Sequence, residues 1–159
     1  MQGDVFEDVT EGRGTDFGTQ IHDFAEAYAL GDSADAGREA DYTHVRNLID
    51  SLDGELLVEE VAFLPLTVDD ERVTISGVVD LIHVLPGRIE IIDYKTDRGR
   101  HAQAEYGKQL SVYYHVASAW YPDRTVTTSI FYTAEGERVD IEPVTHEDLM
   151  DLVRPVIEE

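Results

Sequence analysis

Three charged side chains stand in this sequence where the apolar pattern around them has no use for charge. The segment GVVDLIHVLPGRIEIIDYKT, residues 77–96, holds two β-branched runs around Pro86-Gly87, which predicts a hairpin. If Val78–Leu85 and Arg88–Lys95 close symmetrically about that pair, Ile82 faces Ile91, Val84 faces Ile89 and Asp80 faces Asp93. Directly opposed residues have Cβ atoms about 5 Å apart, and like charges placed there repel. Strand alternation puts Lys95 on the same, apolar face as Asp93. Asp80 alone reads as a solvated strand-end residue; its pairing with Asp93 and Lys95 is what asks for chemistry. Two such aspartates could share a proton, act as the acid–base pair of a glycosidase, or hold a divalent cation. A hard cation accepts carboxylate oxygens at about 2.0–2.6 Å and cancels their repulsion. An ammonium two residues on can then orient or deprotonate a metal-bound water, an arrangement suited to hydrolysis of a phosphodiester.

The elements that must carry these residues follow from periodicity. Phe17, Ile21, Phe24, Ala25 and Tyr28 form a 3.6-period stripe that predicts a helix from about Asp16 to Leu30, stopped by Gly31. A second helix is expected over Arg38–Leu52, closed by Asp53-Gly54. Strands are expected over Glu55–Leu66, Arg72–Leu85 and Arg88–Thr96, with turns at Asp69-Asp70 and Pro86-Gly87. A helix over Gln103–Trp120 and strands over Thr125–Thr133 and Glu137–Glu142 come next. Thr145-His146-Glu147-Asp148 resembles a capping box opening a last helix. The order predicts one α/β domain over residues 1–159 with a mixed central sheet flanked by helices. Residues 1–14 read as a mobile arm.

Composition bounds the rest. The chain has 159 residues, 42% of them hydrophobic, enough for a real core. It has no cysteine, which excludes disulfides, thiolate zinc sites and iron–sulfur ligation by these residues. No apolar run reaches the roughly 20 residues of a membrane span, and no secretory signal is evident, so a cytoplasmic location is expected and no membrane partner. Acidic residues number 34 against 12 basic, a net charge of −22. Eight Tyr and five Phe argue against disorder, so the charge reads as an acidic surface adapted to a high-salt, halophilic cytoplasm. Only two lysines remain, Lys95 and Lys108, and one of them follows Asp93-Tyr94.

Taken in order, Gly77-x-x-Asp80, Asp93-Tyr94-Lys95-Thr96 and Gln109-x-x-x-Tyr113 resemble the PD-(D/E)XK nuclease superfamily. The set is more narrowly similar to its RecB-like branch, found at the C-terminus of UvrD/Rep-type helicases. Gly18-Thr19-Gln20-Ile21-His22 resembles the histidine motif that branch carries on an N-terminal helix. The resemblance implies a restriction-endonuclease-like core and a site in which His22, Asp80, Asp93 and the Tyr94 backbone carbonyl hold Mg²⁺ or Mn²⁺. It makes Asp80, Asp93 and Lys95 catalytic, and gives Gln109 and Tyr113, one helix turn apart, a role in placing DNA. On position alone His22 reads as a packed or solvated histidine; the other motifs reverse that. His44, His83, His101, His115 and His146 have no such support and read as structural. Of Glu59-Glu60, Glu60 is the weakly preferred additional carboxylate.

Residues 95–109 carry a local excess of two positive charges from Lys95, Arg98, Arg100 and Lys108. These residues either cap and pair locally or form a rim that contacts DNA phosphates. Some RecB-like nucleases bind an iron–sulfur cluster, which a chain without cysteine cannot. No G-x-x-x-x-G-K-[ST] occurs, so a helicase motor, if there is one, is a separate domain or subunit. The function expected is a metal-dependent DNA nuclease acting on ends or single strands in repair or recombination. The alternative is a catalytically weak DNA-binding or docking module of the same fold. A glycosidase fits poorly: the aspartate separation suits a retaining enzyme, but the single Trp lies on a helix.

Overall fold

The computed structural model describes residues 14–100 and 102–151. Two helices, α1 (Gly14–Ala29) and α2 (Ala40–Asp50), precede three strands, β1 (Glu55–Val68), β2 (Glu71–Leu85) and β3 (Arg88–Lys95). Helix α3 (Gln103–Trp120) then leads to β4 (Thr125–Tyr132) and β5 (Glu137–Ile141). Helical backbone resumes over 146–151, where Thr145 Oγ1 accepts the Asp148 N–H at 3.1 Å as a capping box requires. The mobile arm expected over residues 1–14 lies outside the described residues except for Gly14, which opens α1. His101 and residues 152–159 also lie outside them.

The five strands form one sheet in the order β1-β2-β3-β4-β5. Its pairings are antiparallel except β3–β4, which is parallel because α3 carries the chain across. The mixed α/β sheet expected from the sequence is thus the one observed. The β1–β2 and β2–β3 hairpin turns are two residues long, and the β4–β5 turn spans residues 133–136. At Asp69-Asp70 both residues adopt left-handed φ, 52° and 66°, the conformation that matches strand twist in a tight hairpin. Helix α1 stops at Gly31, whose φ of +79° few other residues adopt cheaply.

One core lies between the sheet and α3, joining Ile82, Ile89, Ile91 and Ile130 to Leu110, Val112 and Val116. The other lies between the opposite face and α1–α2, joining Ile21, Phe24, Val45 and Ile49 to Leu81, Ile92 and Phe131. Strand β3 is buried on both faces, which is why it reads as a nearly unbroken apolar run.

The β1–β2 pair changes face partway along. Leu57 packs toward α3 and Leu56 and Val58 toward α1–α2, yet beyond them Ala62, Leu64, Leu66 and Val68 all pack toward the α3 side. On β2, Ile82 and Val84 contact the α3-side core, and so do Val79 and Ile75, of opposite parity. The exchange falls at Glu59, whose φ is +51°, between the pairs Val58↔Leu81 and Glu60↔Val79. That register sets Glu59 across from Asp80. Both carboxylates therefore lie at the crossing point, where neither apolar layer claims them.

Candidate active site

The crossing point coincides with a fork in the sheet. Strands β2 and β3 pair from Leu85↔Arg88 to Leu81↔Ile92. Beyond that step β2 continues with β1 alone, while β3 continues along β4 to Lys95↔Tyr132. The register predicted for the hairpin, Ile82↔Ile91 and Val84↔Ile89, is the one observed, and the ladder ends one step short of Asp80 and Asp93. In place of the next ladder bond, Asp80 Oδ2 accepts the Tyr94 backbone N–H at 3.0 Å. A cleft of about 440 Å³ opens at the fork. It brings together His22 from α1, Glu59 from β1, Gly77 and Asp80 from β2, Asp93, Tyr94 and Lys95 from β3, and Gln109 and Tyr113 from α3.

The two basic groups in the cleft are each paired with one of its aspartates, His22 with Asp80 and Lys95 with Asp93. His22 donates Nδ1–H to the Gly18 carbonyl at 2.8 Å, one helical turn back, and holds Asp80 Oδ2 through Nε2 at 3.0 Å. Burial by itself would lower the imidazolium pKa. The charge and hydrogen bond of Asp80, with help from the Gly18 carbonyl and Asp93, outweigh it and raise it to about 10. Burial pushes Asp80 up, but His22, then Lys95 and the Tyr94 N–H, bring its carboxyl below the usual range. Glu59 is held above its usual value by burial, then by the neighbouring charges of Asp80 and Glu26. Lys95 Nζ lies 3.0 Å from Asp93 Oδ2, with both side chains almost fully buried. It also donates to Gln109 Oε1 at 3.5 Å and sits 4.4 Å from the centre of the Tyr106 ring. Tyr106 in turn donates its hydroxyl to Asp97 Oδ2 at 2.6 Å.

Gly77 is explained by Tyr113. A Cβ at position 77 would lie 2.8 Å from the Tyr113 hydroxyl and 2.9 Å from its ring Cε1. The Gly-x-x-Asp spacing thus lets an aromatic ring from α3 lie against bare backbone three residues from Asp80. Tyr106, Gln109 and Tyr113 share one face of α3, spaced i, i+3 and i+7.

The structure departs from the sequence reading at the edges of the site. Glu59, not Glu60, lines the cleft, because the left-handed residue at 59 shifts which carboxylate faces it. Arg98, Arg100 and Lys108 do not line it. Arg100 pairs with Glu137 at 2.6 Å and stacks over Tyr132, Lys108 pairs with Glu105 at 2.7 Å, and Arg98 is exposed beside Glu39 and Glu135. In an acidic chain each cation has carboxylates nearby, and local pairing is the outcome for Arg100 and Lys108. Three of the histidines read as structural bond backbone or a carboxylate: His44 to the Thr133 carbonyl, His115 to the Val144 carbonyl, His83 to Glu90. His146 packs edge-on against His115. The sequence reading missed Tyr106 and Asp97; the helical spacing of Tyr106 to Gln109 and Tyr113 was the signal that could have found the tyrosine.

The donor set, one imidazole and three carboxylates, suits a hard divalent cation. Among the described residues no three of these groups are yet drawn together around one point. Imidazolium and ammonium instead neutralise Asp80 and Asp93, so these cations sit where a metal would cancel the same charge. A histidine ligates a metal only as the neutral imidazole, so a cation held by His22 would require that its proton leave.

These features coincide with what comparison with known proteins finds. The model of the PD-(D/E)XK nuclease superfamily matches residues 50–159, and the chain belongs to that superfamily. Its sheet and flanking helices are the restriction-endonuclease-like arrangement, and nucleases of this superfamily generally use divalent metals. The crystal structure of SSO0001 is similar in fold, with a TM-score of 0.52 and 14% identity, over 92% of this chain and 87% of that one. No curated protein matches the chain. Helix α1, which brings His22, precedes the matched residues. No helix among the described residues is long and apolar enough to cross a membrane.

Proposed function

We propose that this chain is a divalent-metal-dependent deoxyribonuclease that hydrolyses phosphodiester bonds at DNA ends or in single strands. Its setting is repair or recombination in a high-salt cytoplasm, in concert with a helicase motor on another domain or subunit. The observation that carries the reading is the convergence of His22, Asp80, Asp93 and Lys95 on one cleft at the fork, from three separate elements. His22, Asp80, Asp93 and the Tyr94 carbonyl would hold Mg²⁺ or Mn²⁺, with Glu59, which lines the same cleft, as a further carboxylate. When bound, the metal supplies a Lewis acid for the phosphoryl oxygens and a lowered pKa for water. Lys95, which pairs with Asp93 here, would hold its ammonium toward the scissile phosphate and stabilise the charge that develops there. Gln109 restrains the Lys95 ammonium. Tyr113, seated on Gly77, fixes the wall opposite His22.

End-labelled linear single- and double-stranded DNA, incubated with Mn²⁺, Mg²⁺ or EDTA in 1 M KCl, tests the reading. Metal-dependent cleavage that falls by at least about 10²-fold in Lys95→Ala supports it, in line with the usual cost of losing one transition-state charge stabiliser. Undiminished cleavage by Lys95→Ala overturns it. Binding of metal and DNA without turnover would assign the chain to the alternative, a binding module, which the mutual pairing of the ligand groups favours.

A further inference from the structure

Past the fork, β1 and β2 continue as a two-stranded ribbon. One face carries Ala62, Leu64, Leu66 and Val68 into the α3-side core. On the other face three apolar side chains are open to solvent: Val78 at 45%, Val61 at 49% and Phe63 at 60% exposure. Val61 and Val78 are cross-strand partners, so they share that face, and Phe63 lies two residues beyond Val61 on the same side. Val78 also lines the cleft, two residues before Asp80. The exposed row therefore begins in the cleft wall and ends in an aromatic ring one cross-strand step further out.

Charge decides what this row can hold. Within the cleft the imidazolium of His22 and the ammonium of Lys95 are engaged with Asp80 and Asp93. Arg98, Arg100 and Lys108 lie elsewhere, and the whole chain carries −22. Affinity from neutralised phosphates, the usual source for DNA, has little to draw on here. Stacking of bases on aromatic rings needs no counter-charge and survives high salt, but it requires bases that are not paired. We propose that Phe63, continued by Val61 and Val78, is a stacking platform for unpaired nucleobases of the strand in the cleft, so that the substrate is single-stranded DNA or a frayed end. This inference deepens the nuclease reading above and rests on it.

Fluorescence anisotropy of a labelled oligothymidine in 1 M KCl, with Ca²⁺ in place of Mn²⁺, measures the platform apart from cleavage. Phe63→Ala is expected to weaken single-strand binding by about 10-fold or more and Phe63→Trp to restore it. Trp120→Ala, removing an exposed aromatic that does not line the cleft, is expected to bind as the unsubstituted chain does. Equal affinity of Phe63→Ala and the unsubstituted chain, or an equal loss for single strand and blunt duplex, overturns the proposal. If no DNA is cut with Mn²⁺ but Phe63→Ala still loses single-strand affinity, the nuclease reading falls and the platform stands. If DNA is cut and Phe63→Ala leaves the single-strand KM unchanged, the platform falls alone.

Discussion

Gly77 shows how much a single residue can decide. It has no chemistry of its own, yet it allows Tyr113 to come within van der Waals contact of β2 beside Asp80. Tyr113 is almost fully buried, so a methyl at position 77 must displace its ring against packed neighbours. Gly77→Ala should therefore cost about 1–3 kcal/mol of stability, the usual penalty for overpacking, seen as a lower urea midpoint. It should also lower metal-dependent cleavage by displacing the α3 wall of the cleft. The double variant Gly77→Ala/Tyr113→Ala regains room for the methyl. Gly77→Ala is expected to cost less stability in the Tyr113→Ala background than by itself, with no cleavage recovered, and a cycle of the four proteins reads the coupling directly. An additive outcome would mean the glycine and the ring do not act on one another. The same contact explains why the glycine, silent in composition, belongs with the charged residues of the motif.

The elements hold the site through buried polar ties as well as apolar layers. Thr133, directly after β4, donates its hydroxyl to Asp41 Oδ2 of α2 at 2.6 Å, and its N–H goes to the Lys95 carbonyl at 3.0 Å. All three residues are buried, so the tie fixes the α2 layer to the strand end that presents Lys95. Thr133→Val keeps the shape and removes the donor. It should cost about 1–3 kcal/mol, because the buried Asp41 carboxylate loses a partner, while Thr133→Ser retains the stability; chemical denaturation separates the two. Most of this framework was legible in the sequence. The Gln103–Trp120 helix matches the observed bounds, and the Pro86-Gly87 hairpin has its predicted register, because turn residues and period-2 runs act locally. Asp80, Asp93 and Lys95 could be found because each breaks an apolar pattern. Three things were not legible. The face exchange at Glu59 depends on a left-handed residue that no glycine announces, so the sequence favours Glu60 where the structure brings Glu59 to the cleft. The rim arginines depend on which carboxylates lie nearby in space, which a run of positive charge does not reveal. Asp97 and Tyr106 meet only when the loop after β3 folds back on α3.

At the scale of the whole molecule the excess of carboxylates sets how stability responds to acid. Most of the 34 acidic side chains repel one another, so protonating them relieves strain, whereas Glu90 behaves in the opposite sense. It lies at the far end of the sheet from the cleft, where His83 of β2 holds Oε1 at 2.8 Å, Arg88 holds Oε2 at 3.0 Å, and Arg138 of β5 reaches Oε1 at 3.5 Å. Burial would raise its pKa, but the His83 hydrogen bond and the two guanidinium charges bring it below its ordinary 4.5. A carboxylate with a depressed folded pKa adds stability that is complete above its unfolded pKa and is lost as pH falls through the folded one. The difference in urea-unfolding free energy between the unsubstituted chain and Glu90→Gln should thus be flat from pH 7 to about 5.5, then shrink below about pH 4.5. Taking the difference cancels the relief of repulsion that both proteins share, and 1 M KCl, with a Debye length of about 3 Å, suppresses what remains of it. The isoelectric point of about 4.3 falls within this window, so the measurement is made in urea, which keeps the neutralised chain in solution. Curves that stay parallel down to pH 3 would show that His83, Arg88 and Arg138 pack against Glu90 without stabilising its charge. In that case the clamp across β2, β3 and β5 is steric, and the acid response of the molecule belongs wholly to its surface.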